Sequence, residues 1–586
     1  MYAGKIGSID IPKDLREGRI FSQKNGYLYY VSKSQWDSEK KRTVDNRVCI
    51  GKVDPSNSDK MFPNQRYEEF FGPIDATVAA LKEFYDPKLR REAGRFHYSL
   101  SYGSYVVLKQ CAEKCGLLNA LERAMPLYSQ RIFSVALHAI IAERSTAQNF
   151  LTWIFDNYCG FDIPSSDSSI SRLYREIANN HESQAIFFEL FRDNFHSIFP
   201  KSKEMVCAFD STNQVTECKN ITDAKLGKSK SGVKLPIINT AIYTDEETEI
   251  SIWYEHFSGN VLDKTQTPYS VEKANQLGYN KIFLMMDRGY YSFDNMKSVS
   301  DLGIGFGVML PETLEVVTET IRGFRDKLKL NEKYYINDYD IYGLDTIISI
   351  QNGRESADYH AFIYYDDNTA KDERDLVHMN VNYFLSQAMN RKRYSKKMSE
   401  YFKPRAIIVK ESTYQKETGQ NFVLEINHEM VKEAYQDTGF FIVISNRAMS
   451  AENMIRIVRG RDTAEKAFMY LKSHFDLERA KTHNEFTYSG KMFVAFVALV
   501  ILQSFKWFTR SLLTKSRSET ISTLIGELNR YKIQQKKDGS WFPVYAMNKN
   551  QKDILKCVGL TEDIVENSVR NIRIRDSRKK SIYNHK

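Results

Sequence analysis

Between residues 204 and 310 the apolar positions fall in short unbroken runs, not at helical spacing. Met205-Val206-Cys207-Ala208-Phe209 runs up to Asp210, and Ile282-Phe283-Leu284-Met285-Met286 runs up to Asp287. Apolar runs of this length, bounded by polar residues, describe buried strands. Pro236 to Tyr243 and Glu249 to Phe257 read as two further strands around the acidic turn Asp245-Glu246-Glu247. A polar helix is expected near Val271 to Leu277, and Ile304 to Leu310 supplies a fifth strand. The order is three strands, a helix and a strand, with an acid closing the first and fourth strands.

The same reading divides the rest of the chain. Residues 1–75 form a β-rich segment, in which Tyr27 to Val31 and Arg47 to Lys52 flank the charged stretch Glu39-Lys40-Lys41-Arg42 as a hairpin. Its tip is either a DNA contact or a solvated loop. Residues 76–200 turn helical. There, Ser/Asp residues in 164–167 supply an N-cap for a helix exposing Ser, Arg and Tyr, which serves as a recognition helix or as an ordinary surface helix. Residues 201–310 hold the five strands. Residues 311–439, with strand-like segments at Lys333 to Ile336, Thr346 to Ile350, Tyr359 to Tyr365, Ala406 to Val409 and Phe422 to Ile426, are too long for a loop and read as a mostly β insertion. Residues 440–510 resume with strand Phe440 to Ser445 and a long helix capped by Ser450, and 511–586 form a basic C-terminal region.

Composition narrows the class. The 586 residues, 42% hydrophobic and 27% charged, suit several folded domains. The run from Met492 to Phe505 falls short of the ~20 residues of a membrane span and reads as a buried core helix. No secretory signal opens the chain, and seven scattered cysteines without a second close pair suggest buried free thiols in a reducing cytoplasm. Charge is uneven: 18 Lys or Arg against 8 Asp or Glu in residues 501–586, within a whole-chain net of +9. Such a segment suits a polyanion, although a basic tail can also be a solvated end.

The acids carry the chemistry. Phosphodiester cleavage without a covalent intermediate needs an activated oxygen nucleophile and charge relief on the leaving oxygen, and carboxylate-held divalent ions supply both. Asp210 and Asp287 are the first candidates. A third acid lies in Arg461-Asp462-Thr463-Ala464-Glu465, where Arg461, Glu465 and Lys472 fall within roughly 40° of one another on a helix. Arg461 can orient Glu465, and Lys472 can meet a phosphate. The same spacing also describes an exposed salt-bridge stripe. Arg288 beside the second acid, and Lys228 and Lys230 with Lys225 and Lys234 in a mobile loop after the first strand, are candidate phosphate contacts.

In order, these motifs resemble the bacterial insertion-sequence DDE transposases of the "insertion sequence four" superfamily, in its longer-chain branch. That family's signature is Tyr, two residues, Arg, three residues, Glu, six residues, Lys. Arg461, Glu465 and Lys472 match it, while Val458 stands at the Tyr position. Phe209-Asp210-Ser211-Thr212 and Asp287-Arg288-Gly289-Tyr290 are similar to the blocks around the family's two Asp residues, and Ser489-Gly490-Lys491-Met492 to the start of its following apolar helix. The resemblance implies an α/β ribonuclease H-like core interrupted by the insertion. It implies two Mg²⁺ or Mn²⁺ ions held by Asp210, Asp287 and Glu465, DNA contacts from Arg461 and Lys472, and metal-dependent cleavage at element ends followed by strand transfer. Its partners are double-stranded DNA at terminal repeats and target, with a homodimer pairing two ends and no membrane; the expected location is the cytoplasm, at the nucleoid. In relatives the insertion helps hold the element end, and an insertion aromatic braces a flipped base where hairpins form; Phe324 and Tyr342 are candidates. The alternatives are a nuclease without strand transfer and a transposase-derived DNA-binding protein.

Overall fold

The computed structural model describes residues 8–12, 20–22, 26–37, 42–64, 66–71, 99–144, 147–160, 166–200, 204–230, 232–279, 281–415, 418–514, 519–536 and 540–572. The chain divides into two compact units, one of residues 185–473 and 477–481, the other of residues 1–184, 474–476 and 482–586. The tip at 39–41, residues 164–165 before the capped helix, and the basic run after Ile572 lie outside the described residues.

The first unit is built on a nine-stranded mixed sheet. Its strands are β1 (Met205–Val215), β2 (Ile237–Asp245), β3 (Ser251–Ser258), β4 (Ile282–Met286), β5 (Gly305–Met309), β6 (Tyr335–Ile336), β7 (Ile341–Asn352), β8 (Glu355–Tyr365) and, later in the chain, β11 (Phe440–Ser445). The order is β6-β7-β8-β11-β5-β4-β1-β2-β3. The β1–β4 and β4–β5 pairs are parallel; β1–β2, β2–β3, β5–β11 and β8–β11 are antiparallel. The parallel strands need crossovers. Helix α1 (Asp263–Gln276) lies on the connection from β3 to β4, and α2 (Phe293–Asp301) on that from β4 to β5.

All nine residues of β2 and all five of β4 are buried, as strands covered on both faces require. On one face Phe283 and Met285 of β4, Phe362 of β8 and Val443 of β11 pack against Met454 and Ile455. Those two residues belong to helix α7 (Ala451–Gly460), which Ser450 caps by accepting from the Asn453 N–H. Val458 packs against the same cluster, so the residue at the signature's Tyr position serves as core filling.

Three features depart from the sequence reading. Asp210 does not end its strand, because β1 continues through Val215. The helix after Ser450 is not continuous: it breaks at Arg461, resumes as α8 (Asp462–Met469) and widens into a π-turn over Tyr470–His474. Segment 311–439 is mixed rather than mostly β, with more residues in helix than in strand, including α3 (Glu315–Leu328), α4 (Asp367–Met389), α5 (Lys396–Phe402) and α6 (His428–Gln436). Its strands β6 to β8 extend the main sheet through β11, while β9 (Ile407–Gln415) and β10 (Gln420–Ile426) form a separate hairpin. Period-two patterning marks strands but not which sheet they join.

The second unit contains a five-stranded antiparallel sheet in the order Ile9–Asp10, Asn57–Pro63, Arg42–Asp54, Tyr27–Asp37, Ile20–Ser22. Its helices gather around Glu485–Leu513, including Gly103–Lys114, Ser129–Ile141 and Asp167–Asn179. By length and composition that helix could cross a membrane, yet 83% of its most apolar window is buried inside the fold. Gly490 permits the packing, since a Cβ there would stand 1.9 Å from the Tyr174 carbonyl oxygen. Ser166 caps Asp167–Asn179 by accepting from the Ser169 N–H. The seven cysteines are all free, but only Cys111, Cys115, Cys159 and Cys207 are buried; Cys49, Cys218 and Cys557 are partly exposed.

Candidate active site

Parallel pairing of β1 with β4 runs from Met205↔Ile282 to Phe209↔Met286. The next residue on each strand is an acid, Asp210 and Asp287. Beyond this point β4 leaves the sheet, while β1 stays paired with β2 from Asp210↔Ile242 to Val215↔Ile237. Asp210 therefore sits where one neighbour departs, a position that opens a cleft beside a strand still held on its other edge.

The chain turns back after Asp287. Tyr290, in the turn Arg288–Tyr290, packs its ring 5.1 Å from that of Phe209 and donates its hydroxyl to Asp210 Oδ1 at 3.3 Å. The Ser211 N–H donates to the same oxygen at 2.7 Å. Burial pushes the Asp210 carboxyl above the ordinary Asp value, and the neighbouring Asp287 charge adds to this; Lys230, the Ser211 N–H and Arg461 pull the other way without cancelling it.

Glu465 reaches the pair through Arg461. The Arg461 guanidinium donates to Asp287 Oδ1 at 2.5 Å and to Glu465 Oε1 at 3.3 Å. The break between α7 and α8 falls at Arg461, and the two-way contact is made from there. Lys472 lies on the π-turn; burial draws its ammonium below the usual Lys value, with Lys230 acting in the same direction and Glu478 and Asp210 opposing.

Lys230 belongs to the site. Its ammonium donates to the Ser211 carbonyl and lies 4.0 Å from Asp263. The loop carrying it, expected from the sequence to be mobile, is hydrogen-bonded at Lys225, Lys228 and Lys230. Asn213 donates to the Lys228 carbonyl and accepts from the Lys230 N–H, each at 3.3 Å, and Lys225 exchanges backbone hydrogen bonds with Ile237. Lys228 contributes its carbonyl to this bracket and leaves its side chain exposed. Arg288 pairs instead with Glu312 at 2.8 Å. Tyr342 lies in a row of rings with Tyr335 and Tyr365, and Phe324 beneath the Lys327 ammonium.

Tyr290, Ser211 and Asp263 join the site only in the folded structure. Tyr290 was visible as the aromatic of Asp287-Arg288-Gly289-Tyr290, but its contact with Asp210 depends on the turn. Asp263 lies 53 positions beyond Asp210 and carried no local signal.

Among the described residues no three Asp, Glu, His or Cys side chains stand close enough together to hold a metal ion. In kind the donors fit a divalent cation: one carboxylate on β1, one just past the end of neighbouring β4, and a third joined to the second by one guanidinium. Carboxylate oxygens are the ligands Mg²⁺ and Mn²⁺ prefer. In arrangement, Arg461 stands where a cation shared by Asp287 and Glu465 would stand.

Asp210 and Asp287 after the last residues of the β1–β4 pairing, with Asp287 linked through Arg461 to Glu465 on a later helix, make a carboxylate-rich site. Residues 201–501, just over half the chain, match the family model "Transposase DDE domain", and the chain belongs to that family. A search of curated proteins finds no significant match. Among solved structures, the chain resembles one described as the cryo-EM structure of piggyBac transposase synaptic complex with hairpin DNA. The likeness has 7% identity, spans 79% of this chain and 82% of that chain, and has a TM-score of 0.34, too distant to bear on function.

Proposed function

We propose that this transposase cleaves DNA at the ends of an insertion sequence and joins the freed 3′-hydroxyl to target DNA, on a ribonuclease H-like core formed by β1 to β5. The observation that supports the reading is that Asp210 and Asp287 each follow the last residue of the β1–β4 pairing while Arg461 bridges Asp287 to Glu465, inside the region matched to the transposase DDE domain. The strand order β3-β2-β1-β4-β5, antiparallel then parallel, supports the core assignment.

Asp210, Asp287 and Glu465 would hold two Mg²⁺ or Mn²⁺ ions, whose chemistry when bound would be to lower the pKa of an attacking water or hydroxyl and to stabilise the leaving oxygen. Arg461 holds Asp287 and Glu465 in one orientation. Tyr290 and the Ser211 N–H fix the Asp210 carboxylate, leaving Oδ2 without a hydrogen bond among the described residues. Lys472 and Lys230 place positive charge beside Asp210, where a phosphate would otherwise meet two carboxylates. The substrate is double-stranded DNA, and a homodimer pairing two ends belongs to the same reading, as does membership of the "insertion sequence four" superfamily.

The test is cleavage of labelled DNA bearing the element's own ends in Mg²⁺, Mn²⁺ or EDTA, with Glu465→Ala in parallel. Metal-dependent nicks at the end boundary, absent in Glu465→Ala, are expected. Binding of the ends without any cleavage by wild type would overturn the enzymatic reading.

A further inference from the structure

The segment from Leu376 to Arg405 carries seven Lys or Arg and a single acid, Glu400. Five of the cations, Arg391, Lys392, Arg393, Lys396 and Lys397, fall within seven residues across the turn between α4 and α5, and all five are exposed. None of their side chains makes an ion pair among the described residues, although exposed pairs such as Lys410–Glu425 form close by in the chain. The negative end of the α4 dipole accounts for about half a charge. Five unpaired cations exceed that several-fold.

The turn is built, not loose. The Gln420 side-chain amide donates to the Met389 and Arg391 carbonyls at 2.5 and 2.7 Å, and the Tyr394 N–H donates to Asn421 Oδ1 at 2.6 Å. Ser395 caps α5 by accepting from the Met398 N–H at 3.1 Å. Beneath lies a small core of its own, where Ala388, Met398 and Phe402 pack against Ile407, Val409 and Phe422 of the β9–β10 hairpin. A scaffold of this kind holds like charges together despite their repulsion, and cations gathered on an anchored turn meet a polyanion at lower ordering cost than cations on a free loop.

The geometry points to the α4–α5 turn, through Arg391, Lys392, Arg393, Lys396 and Lys397, as a sequence-independent grip on the phosphate backbone of duplex DNA, separate from the carboxylate site. Nothing in this set offers paired donors and acceptors to base edges, so it adds affinity without reading sequence. The inference rests on the proposed transposase function only in naming DNA as the polyanion.

The test is duplex binding by the full chain in EDTA across a salt series, with wild type beside Lys392→Ala/Arg393→Ala/Lys396→Ala/Lys397→Ala. The slope of log K against log[salt] should fall by about one for each phosphate that the variant no longer neutralises, equally on element-end and scrambled duplexes. An unchanged slope, or weakening confined to one sequence, overturns the proposal. Should the variant misfold, acetylation of wild type decides: duplex should protect Lys392, Lys396 and Lys397, and unaltered labelling overturns it. Because EDTA silences metal chemistry, failure here is distinct from failure of the cleavage reading.

Discussion

Arg461 holds Asp287 at 2.5 Å while its second terminal nitrogen reaches Glu465 at 3.3 Å, so one guanidinium joins the second acid to the third. A cation shared between two carboxylates competes with any metal ion they would hold. Arg461→Gln is therefore expected to bind Mn²⁺ more tightly, on the order of tenfold or about 1.4 kcal/mol, while losing cleavage. Calorimetric titration separates the two effects; unchanged or weaker Mn²⁺ binding would remove the competition argument.

Asp210 is partly buried, with its carboxyl raised above the ordinary value. A carboxyl raised in the fold contributes stability that is present at pH below its unfolded value and lost as pH climbs through its folded value. Ionisation of Asp210 thus weakens the fold. Asp210→Asn keeps an oxygen for the Ser211 N–H and Tyr290 hydroxyl. It should melt at a higher temperature than wild type at pH 7, by a margin that shrinks toward pH 3, and should not cleave DNA. A margin independent of pH would contradict the assignment.

Glu255 is a clearer case of the same sign. It lies on β3 with Oε1 lacking a hydrogen-bond partner among the described residues and the Lys273 ammonium 3.8 Å away, and burial pushes its carboxyl up to about 7. The corresponding penalty, accumulating between roughly pH 4.5 and 7, is on the order of 3 kcal/mol. Denaturant unfolding of Glu255→Gln should show a gain at pH 8 that is absent at pH 4. Equal stability at pH 8 would mean that Glu255 is better solvated than its burial implies.

Gly490 tests the packing of the helical unit. An added methyl would collide with Tyr174 backbone atoms, which cannot rotate away as a side chain could. Gly490→Ala should therefore cost about 1–3 kcal/mol, the usual range for overpacking. A melting temperature equal to wild type would show that the two helices can separate freely.

What the sequence by itself determined follows from local causes. Unbroken apolar runs marked β1 and β4, Ser450 and the Ser/Asp cluster ending at Asp167 marked helix starts, and the apolar runs before Asp210 and Asp287 and the Arg461–Glu465 spacing marked candidate acids. Strand burial and capping depend on neighbours within a few residues, so they are legible in one dimension. Tertiary structure decided the rest. Asp210 lies mid-strand because β4 departs while β2 stays, which only pairing reveals. Arg461 spans two carboxylates because Asp287, from a distant strand end, is folded against its helix, and Tyr290 and Lys230 converge on Asp210 and Ser211 from separate turns. Strands β6 to β8 join the main sheet because β11, far later in the chain, offers an edge. Such contacts are chosen by the competition among all surfaces that must be buried at once, and residue spacing does not encode that competition.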